Sequence, residues 1–207
     1  MTRFHLLLLA SGSRWVAPAA FAGLWLALGQ SSQGTSMESA AFFFPVVFIT
    51  SIWVTVIIGN IDDDPHREMV AASAGGQRRL HTLRARASAM LLIMVHAPLA
   101  LVVVLGGPNI ALQATMAVPL LFLGAIALGV GVGNLLHRPL VDEVGVAALA
   151  GPLALAGLML FPPVQWVLRQ TNDGSSIGAV ALFPVSVAAG SLFLIMARWM
   201  LRRRRIG

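Results

Sequence analysis

The sequence predicts an all-α membrane protein of six transmembrane helices, preceded by an interfacial amphipathic helix and with both termini in the cytoplasm. Three observations carry this. Hydrophobic residues make up 57% of the 207-residue chain and charged residues only 11%, against about 45–50% and about a quarter in soluble domains. Mean hydropathy is +0.83. Six apolar runs are long enough, or nearly so, to cross about 30 Å of hydrocarbon, and all but Arg169 of the 14 basic side chains fall on one side of them. The net charge of +6 does not point to nucleic acid, because the arginines that carry it sit beside membrane-length runs. Cysteine is absent, which removes disulfides, thiolate catalysis and cysteine-ligated zinc.

In chain order, residues 1–13 form the interfacial helix. Their apolar core, Leu6–Ala10, is shorter than the roughly 7–15 residues of a signal-peptide h-region. Spans one and two lie within residues 14–61, as Trp15–Gly29 and Ala41–Ile61; span one is short for a bilayer and suits little tilt or local thinning. Residues 62–87 are a cytoplasmic loop, residues 88–200 hold spans three to six (Ser88–Leu105, Gln113–Leu136, Val144–Phe161, Ala179–Trp199), and residues 201–207 are a basic tail. Each span contains one proline, which a membrane helix tolerates when its neighbours satisfy the freed carbonyl. The positive-inside rule then places both ends in the cytoplasm. The RRRR tail acts as a stop-transfer anchor that also attracts anionic lipid. Between spans five and six, a short surface helix starts after Pro162–Pro163 and breaks at Asp173–Gly174.

The loop at 62–87, DDDPHREMVAASAGGQRRLHTLRARA, has structure of its own. Asp64 suits an N-cap, Pro65 occupies the first helical position, and Asp62 and Asp63 complement the helix dipole. The Gly75–Gly76 pair ends the helix. A helix this short is marginal in water and needs something to pack on. It suits docking into a groove on a soluble partner; a structured loop with solvated charges fits the same residues. Beyond it, Leu80, Leu83 and Ala87 share a face that suits the lipid headgroups.

An interfacial helix, six spans and a charged loop after span two, centred on REMVAASAGGQRRL at 67–80, resemble the permease subunit of a type-2 ABC exporter. The resemblance extends over the whole chain in organisation. It implies a coupling helix at residues 65–74 that sits in a cleft of a separate cytosolic ATPase. Arg67, Glu68 and Met69 would make the contact, and Pro65, Ser73 and Gly75 would complete the partner-binding segment. It also implies a second permease copy or a related permease, two ATPase copies, and ATP with Mg held on the ATPase. The chain itself lacks a GxxxxGK[ST] phosphate loop and contains no lysine, so no cofactor is expected on it and hydrolysis falls to the partner. The implied location is the inner (cytoplasmic) membrane.

By the same resemblance, the translocation path runs between spans two and five of two permease copies. On span two Phe44, Phe48, Ser51 and Thr55 share one helical face, which offers aromatic area and small hydroxyls to an amphipathic drug, lipid or small peptide; the same stripe also suits lipid or a neighbouring helix. Leu155 and Met159 would form the opposing wall. His96, in span three, is the ionisable residue farthest from the interfaces, with two readings: a cargo or proton contact, or a neutral imidazole bonded to the next helix. Gly129-x-x-x-Gly133 marks a face for close helix packing. Two alternatives remain: the substrate-binding membrane subunit of an energy-coupling vitamin importer, or an intramembrane enzyme using His96. The second lacks a GxSG-like turn or an HExxH cluster.

Overall fold

The computed structural model describes residue 23 and residues 35–60, 64–106, 112–136 and 144–203, with side chains for 35–60, 69–106, 112–136 and 151–201 of these. The expected interfacial helix at 1–13, all of span one but residue 23, and the end of the basic tail lie outside the described residues. The described residues of 35–203 form, in order, the helices α1 Ser36–Gly59, α2 Asp64–Ser73, α3 Gln77–Leu105, α4 Leu112–Leu136, α5 Val144–Leu160, α6 Pro162–Asn172 and α7 Ile177–Arg203. Among the described residues, four helices (α1, α3, α4 and α7) are long and apolar enough to cross a membrane, and a fifth span is formed if the bent pair α5–α6 is one.

Several helix ends differ from the apolar-run boundaries for identifiable reasons. α1 begins at Ser36 rather than Ala41 because Thr35 and Glu38 form a capping box: Thr35 N–H donates to Glu38 Oε2 at 2.8 Å and Glu38 N–H to Thr35 Oγ1 at 3.3 Å. α3 is one continuous 29-residue helix from Gln77; the segment expected to lie at the headgroups, with Leu80, Leu83 and Ala87, is its first three turns. α5 has 17 residues, about 25 Å at 1.5 Å per residue, and α6 turns away from it by 79°. Two prolines at the start of α6 remove donors that a continuing helix would need. α6 closes with Gly174 at φ 81°, its N–H on Thr171 O at 3.0 Å, and with Ser175 N–H on Gln170 O at 2.8 Å, a Schellman pair.

Helix directions follow from paired residues. Arg84 meets Gly59, His96 meets Thr50, and Ser36 meets Val104, so α1 and α3 are antiparallel. Gly129 faces Ser51 and Gly133 faces Thr55, so α4 runs parallel to α1; Gly124 faces Ser186 and Gly131 faces Gly190, so α7 runs parallel to α4. These alternating directions are those of helices that repeatedly cross one layer. α1 and α4 form the centre, with two-thirds of their apolar windows buried, while α3 and α7 expose most of theirs. Exposed Met90, Leu101, Leu192 and Ile195 form the apolar exterior that hydrocarbon would cover.

Candidate functional site

The α2 segment is built as a short lever on the base of α3. Ala71 and Ala74, each 5% exposed, pack on Leu80 of α3, with Val70 and Leu83 alongside. The turn between the helices is a full Schellman motif. Gly75 N–H donates to Ala72 O at 3.1 Å and Gly76 N–H to Ala71 O at 2.7 Å, and Gly75 sits at φ 83°, a region that costs any L side chain. A Cβ at Gly75 would also touch Arg79 Nη1 at 3.4 Å. Of the residues implicated in partner contact, Met69 is 67% exposed. Ser73 is exposed and bonds its own helix at Val70 O. The side chains of Pro65, Arg67 and Glu68 lie outside the described set.

Two arginines join the base of α3, on which this lever packs, to the bundle. Arg84 is buried in α3, and its Nη1 donates to Gly59 O at 3.0 Å, placing a cation on the carbonyl end of α1. Arg198 of α7 donates from Nη2 to Thr82 Oγ1 of α3 at 2.8 Å. Residue typing alone treats Arg84 as one more loop charge. Its register was the available signal: it is four residues from both Leu80 and Ser88, on the buried stripe of a continuous helix.

The face of α1 carrying Phe44, Phe48, Ser51 and Thr55 lies inside the chain, with all four side chains 2% exposed or less. Of the surroundings this stripe suits, the described residues give it a neighbouring helix of the same chain, α4. The physical reason is glycine on α4: a Cβ at Gly129 would sit 2.5 Å from Ser51 Cβ, and one at Gly133 2.7 Å from Thr55 Cβ, so only bare backbones can approach this closely. The small-residue motif thus has α1 as its partner. The Ser51 and Thr55 hydroxyls bond the carbonyls of Val47 and Ser51, four residues back. Leu155 and Met159 on α5 are half-buried and pack on the same core from its far side.

His96 is buried between α3 and α1. Its Nδ1 lies 2.9 Å from Leu92 O, which makes Nδ1 the protonated nitrogen, and its Nε2 lies 3.1 Å from Thr50 Oγ1. Thr50 Oγ1 is also 2.7 Å from Val46 O. Thr50 has one hydroxyl proton: given to the neutral His96 Nε2 it links α1 to α3, and given to Val46 O it leaves Nε2 without a donor from Thr50. His96 borders a cavity of about 330 Å³ between α3 and α4. Among the described residues no group of three or more His, Asp or Glu side chains is placed to hold a metal ion.

No protein-family model matches the chain, and neither a curated protein nor a solved structure matches it.

Proposed function

We propose that this chain is the membrane-spanning subunit of an ATP-driven ABC exporter in the inner (cytoplasmic) membrane. In this reading it has six spans, both termini lie in the cytoplasm, and it pairs with a second permease. It moves a hydrophobic or amphipathic compound on energy from two copies of a cytosolic ATPase. The observation that carries the reading is α2, a ten-residue helix between two apolar helices, glycine-terminated and packed on the start of α3, with Met69 open to a partner. The arginine distribution supports the sidedness. Arg78, Arg79 and Arg86 are exposed at the end of the bundle that holds α2, whereas Arg169 is exposed on α6 near the other end.

The contacts also suggest how such a subunit would respond. A displacement of α2 bears on Leu80, and α3 continues without a break from there into the membrane. Arg84 ties the same turns to the end of α1, and Arg198 ties them to α7. Closure of an ATP-loaded ATPase dimer beneath two such levers would therefore move three helix ends together, as a rigid-body switch between inward-open and outward-open arrangements.

The test is a mild-detergent pull-down of the chain from its native membrane, with mass identification of stoichiometric partners, followed by ATPase assays of the complex. A nucleotide-binding subunit is expected. Glu68→Ala and Gly75→Leu should leave membrane insertion intact and lower stimulated ATPase turnover several-fold. Recovery of the chain alone, or unchanged turnover in both variants, overturns the proposal.

A further inference from the structure

α3 and α7 each pack on α4 rather than on one another, so a cleft runs between them, and a side-chain bond crosses it. At the end of the bundle that holds α2, Arg198 of α7 reaches over to α3, its Nη2 donating to Thr82 Oγ1 at 2.8 Å. Thr82 Oγ1 donates in turn to Arg78 O at 2.9 Å. The bond fixes the Arg198 guanidinium at the mouth of the cleft and uses one of its five donors. Nε is buried without a partner, and Nη1 is neither buried nor bonded among the described residues.

Arg78 and Arg86 stand four residues to either side of Thr82, on the face of α3 that Arg198 approaches. Both are exposed, and neither guanidinium has an ion-pair or hydrogen-bond partner among the described residues. Arg79 is set back from them, with Nη1 3.4 Å from a Cβ position on Gly75. Side chains four apart on a helix have Cβ atoms about 5–6 Å from each other, and like charges at that spacing repel. The carboxylates whose side chains are described, Glu38 and Asp173, belong to the opposite end, where the start of α1 meets Val104 and α6 meets the start of α7. An anion is the group that would relieve the three arginines.

Depth and surroundings select which anion. Arg86 lies nineteen residues before Leu105, the end of α3, about 29 Å at 1.5 Å per residue, which matches a hydrocarbon core of about 30 Å. Arg86 therefore stands at the edge of the hydrocarbon, where lipid phosphates begin. Inward of it the cleft walls are apolar and open: Ile93 on α3 is 43% exposed, and Ile195, one turn inward from Arg198 on α7, is 60% exposed. A free inorganic anion would use the mouth and leave these walls bare, whereas a phospholipid matches both. A zwitterionic choline headgroup would bring its own cation to the arginines, and a net-negative headgroup would not.

We infer that the cleft between α3 and α7 binds an anionic glycerophospholipid of the leaflet on the α2 side, with its phosphate on Arg86 and Arg198, Arg78 adjoining, and an acyl chain along Ile93 and Ile195. Arginine forks suit phosphate oxygens, and the Thr82 bond holds one fork in place beforehand. The inference does not rest on an ATPase partner, because binding is read without nucleotide.

The experiment uses the full chain in phosphatidylcholine nanodiscs containing phosphatidylglycerol with a diazirine near the start of one acyl chain, and maps photolabelled peptides by mass spectrometry. Labelling on α3 and α7 around Ile93 and Ile195 is expected to saturate, to be displaced by unlabelled phosphatidylglycerol, and to withstand inorganic phosphate. Arg86→Gln alters an exposed side chain with no protein partner and should weaken labelling about tenfold, the loss of one bond to a charged group. Arg198→Gln should weaken it at least as much, and Arg169→Gln, at the other end of the bundle, should leave it unchanged. Labelling that rises linearly without saturating shows general attraction to the bilayer and overturns the proposal, as does an equal loss in Arg169→Gln. Displacement by inorganic phosphate, or wild-type labelling of folded Arg86→Gln, overturns it too. If Arg198→Gln fails to fold, Arg86→Gln decides the question. Loss of ATPase coupling in the α2 variants leaves lipid labelling in place, so failure of one proposal is distinguishable from failure of the other.

Discussion

At Gly129 an added Cβ would lie 2.5 Å from Ser51 Cβ, whereas at Gly157 the same atom would meet nothing within 4 Å. Both glycines sit on apolar helices among Ala, Leu and Val, but Gly129 has a second glycine four residues on at Gly133 whereas Gly157 has Leu153 and Phe161 at that spacing. On α4 the missing side chain brings backbones together, and Gly131 repeats the arrangement against Gly190 of α7. On α5 the missing side chain leaves a gap that no neighbour fills. In hydrocarbon, helices gain little from hiding apolar surface from one another, so association depends on close packing and on polar links. The α1–α4–α7 seams have that packing. The α5–α7 gap, a slot of about 410 Å³ bordered by Gly157, does not.

The largest effect that tests this contrast is expected at Gly129→Leu. The new side chain must displace Ser51 and the Phe48 carbonyl, which lies 2.7 Å from the Cβ position. Overpacking typically costs about 1–3 kcal/mol, and with backbone as the obstacle the upper end or more is expected, read as loss of folded protein in a detergent-denaturation series. Gly157→Leu in the same series should stay within about 1 kcal/mol of wild type. Equal damage at both sites would erase the distinction between seam and slot.

Next in size is Arg84→Met, which removes the cation from Gly59 O and leaves that carbonyl at the end of α1 without its charged donor. Hydrogen bonds to charged groups contribute about 1.5–3 kcal/mol, and a loss of about 2 kcal/mol is expected, with Arg84→Lys recovering part of it. A loss under about 0.5 kcal/mol would show that Arg84 does not brace the seam. A smaller effect, about 1 kcal/mol, is expected for Thr50→Val and for His96→Gln, because each breaks a single neutral link between α1 and α3. If the link is what they share, the double variant should cost no more than either alone. Additive losses would mean that each side chain acts through something else.

Much of this architecture is legible in the sequence where local chemistry decides it. The Gly75–Gly76 stop, the helix start at Pro162–Pro163 with its end at Asp173–Gly174, and the small-residue face at Gly129 and Gly133 are read from residue type alone, since backbone conformation or volume permits little else there. The start of α1 was also legible: Thr35-x-x-Glu38 is a capping-box pattern, but hydropathy begins counting only where the apolar run does. Arg84 required reading one helical register through the loop and into the span. Which helix covers the Phe48–Thr55 face, and the slot beside Gly157, were not legible, because both depend on distances between helices far apart in the chain.

The smallest effect is expected at Gly157→Ala, and its sign is informative. In a helix interior alanine is favoured over glycine by about 1 kcal/mol in water, through backbone entropy and the exposed peptide group. The second contribution falls away when hydrocarbon surrounds the helix, so a gain below about 1 kcal/mol remains. Nothing within 4 Å opposes the added methyl, so stability should rise slightly. At Gly129 the same substitution starts from 2.5 Å to Ser51 Cβ and should destabilise. Opposite signs for one identical methyl at two glycines, measured in one denaturation series, would establish that α4 packs by contact and α5 stands clear. A loss at Gly157→Ala would mean that another surface already occupies the slot.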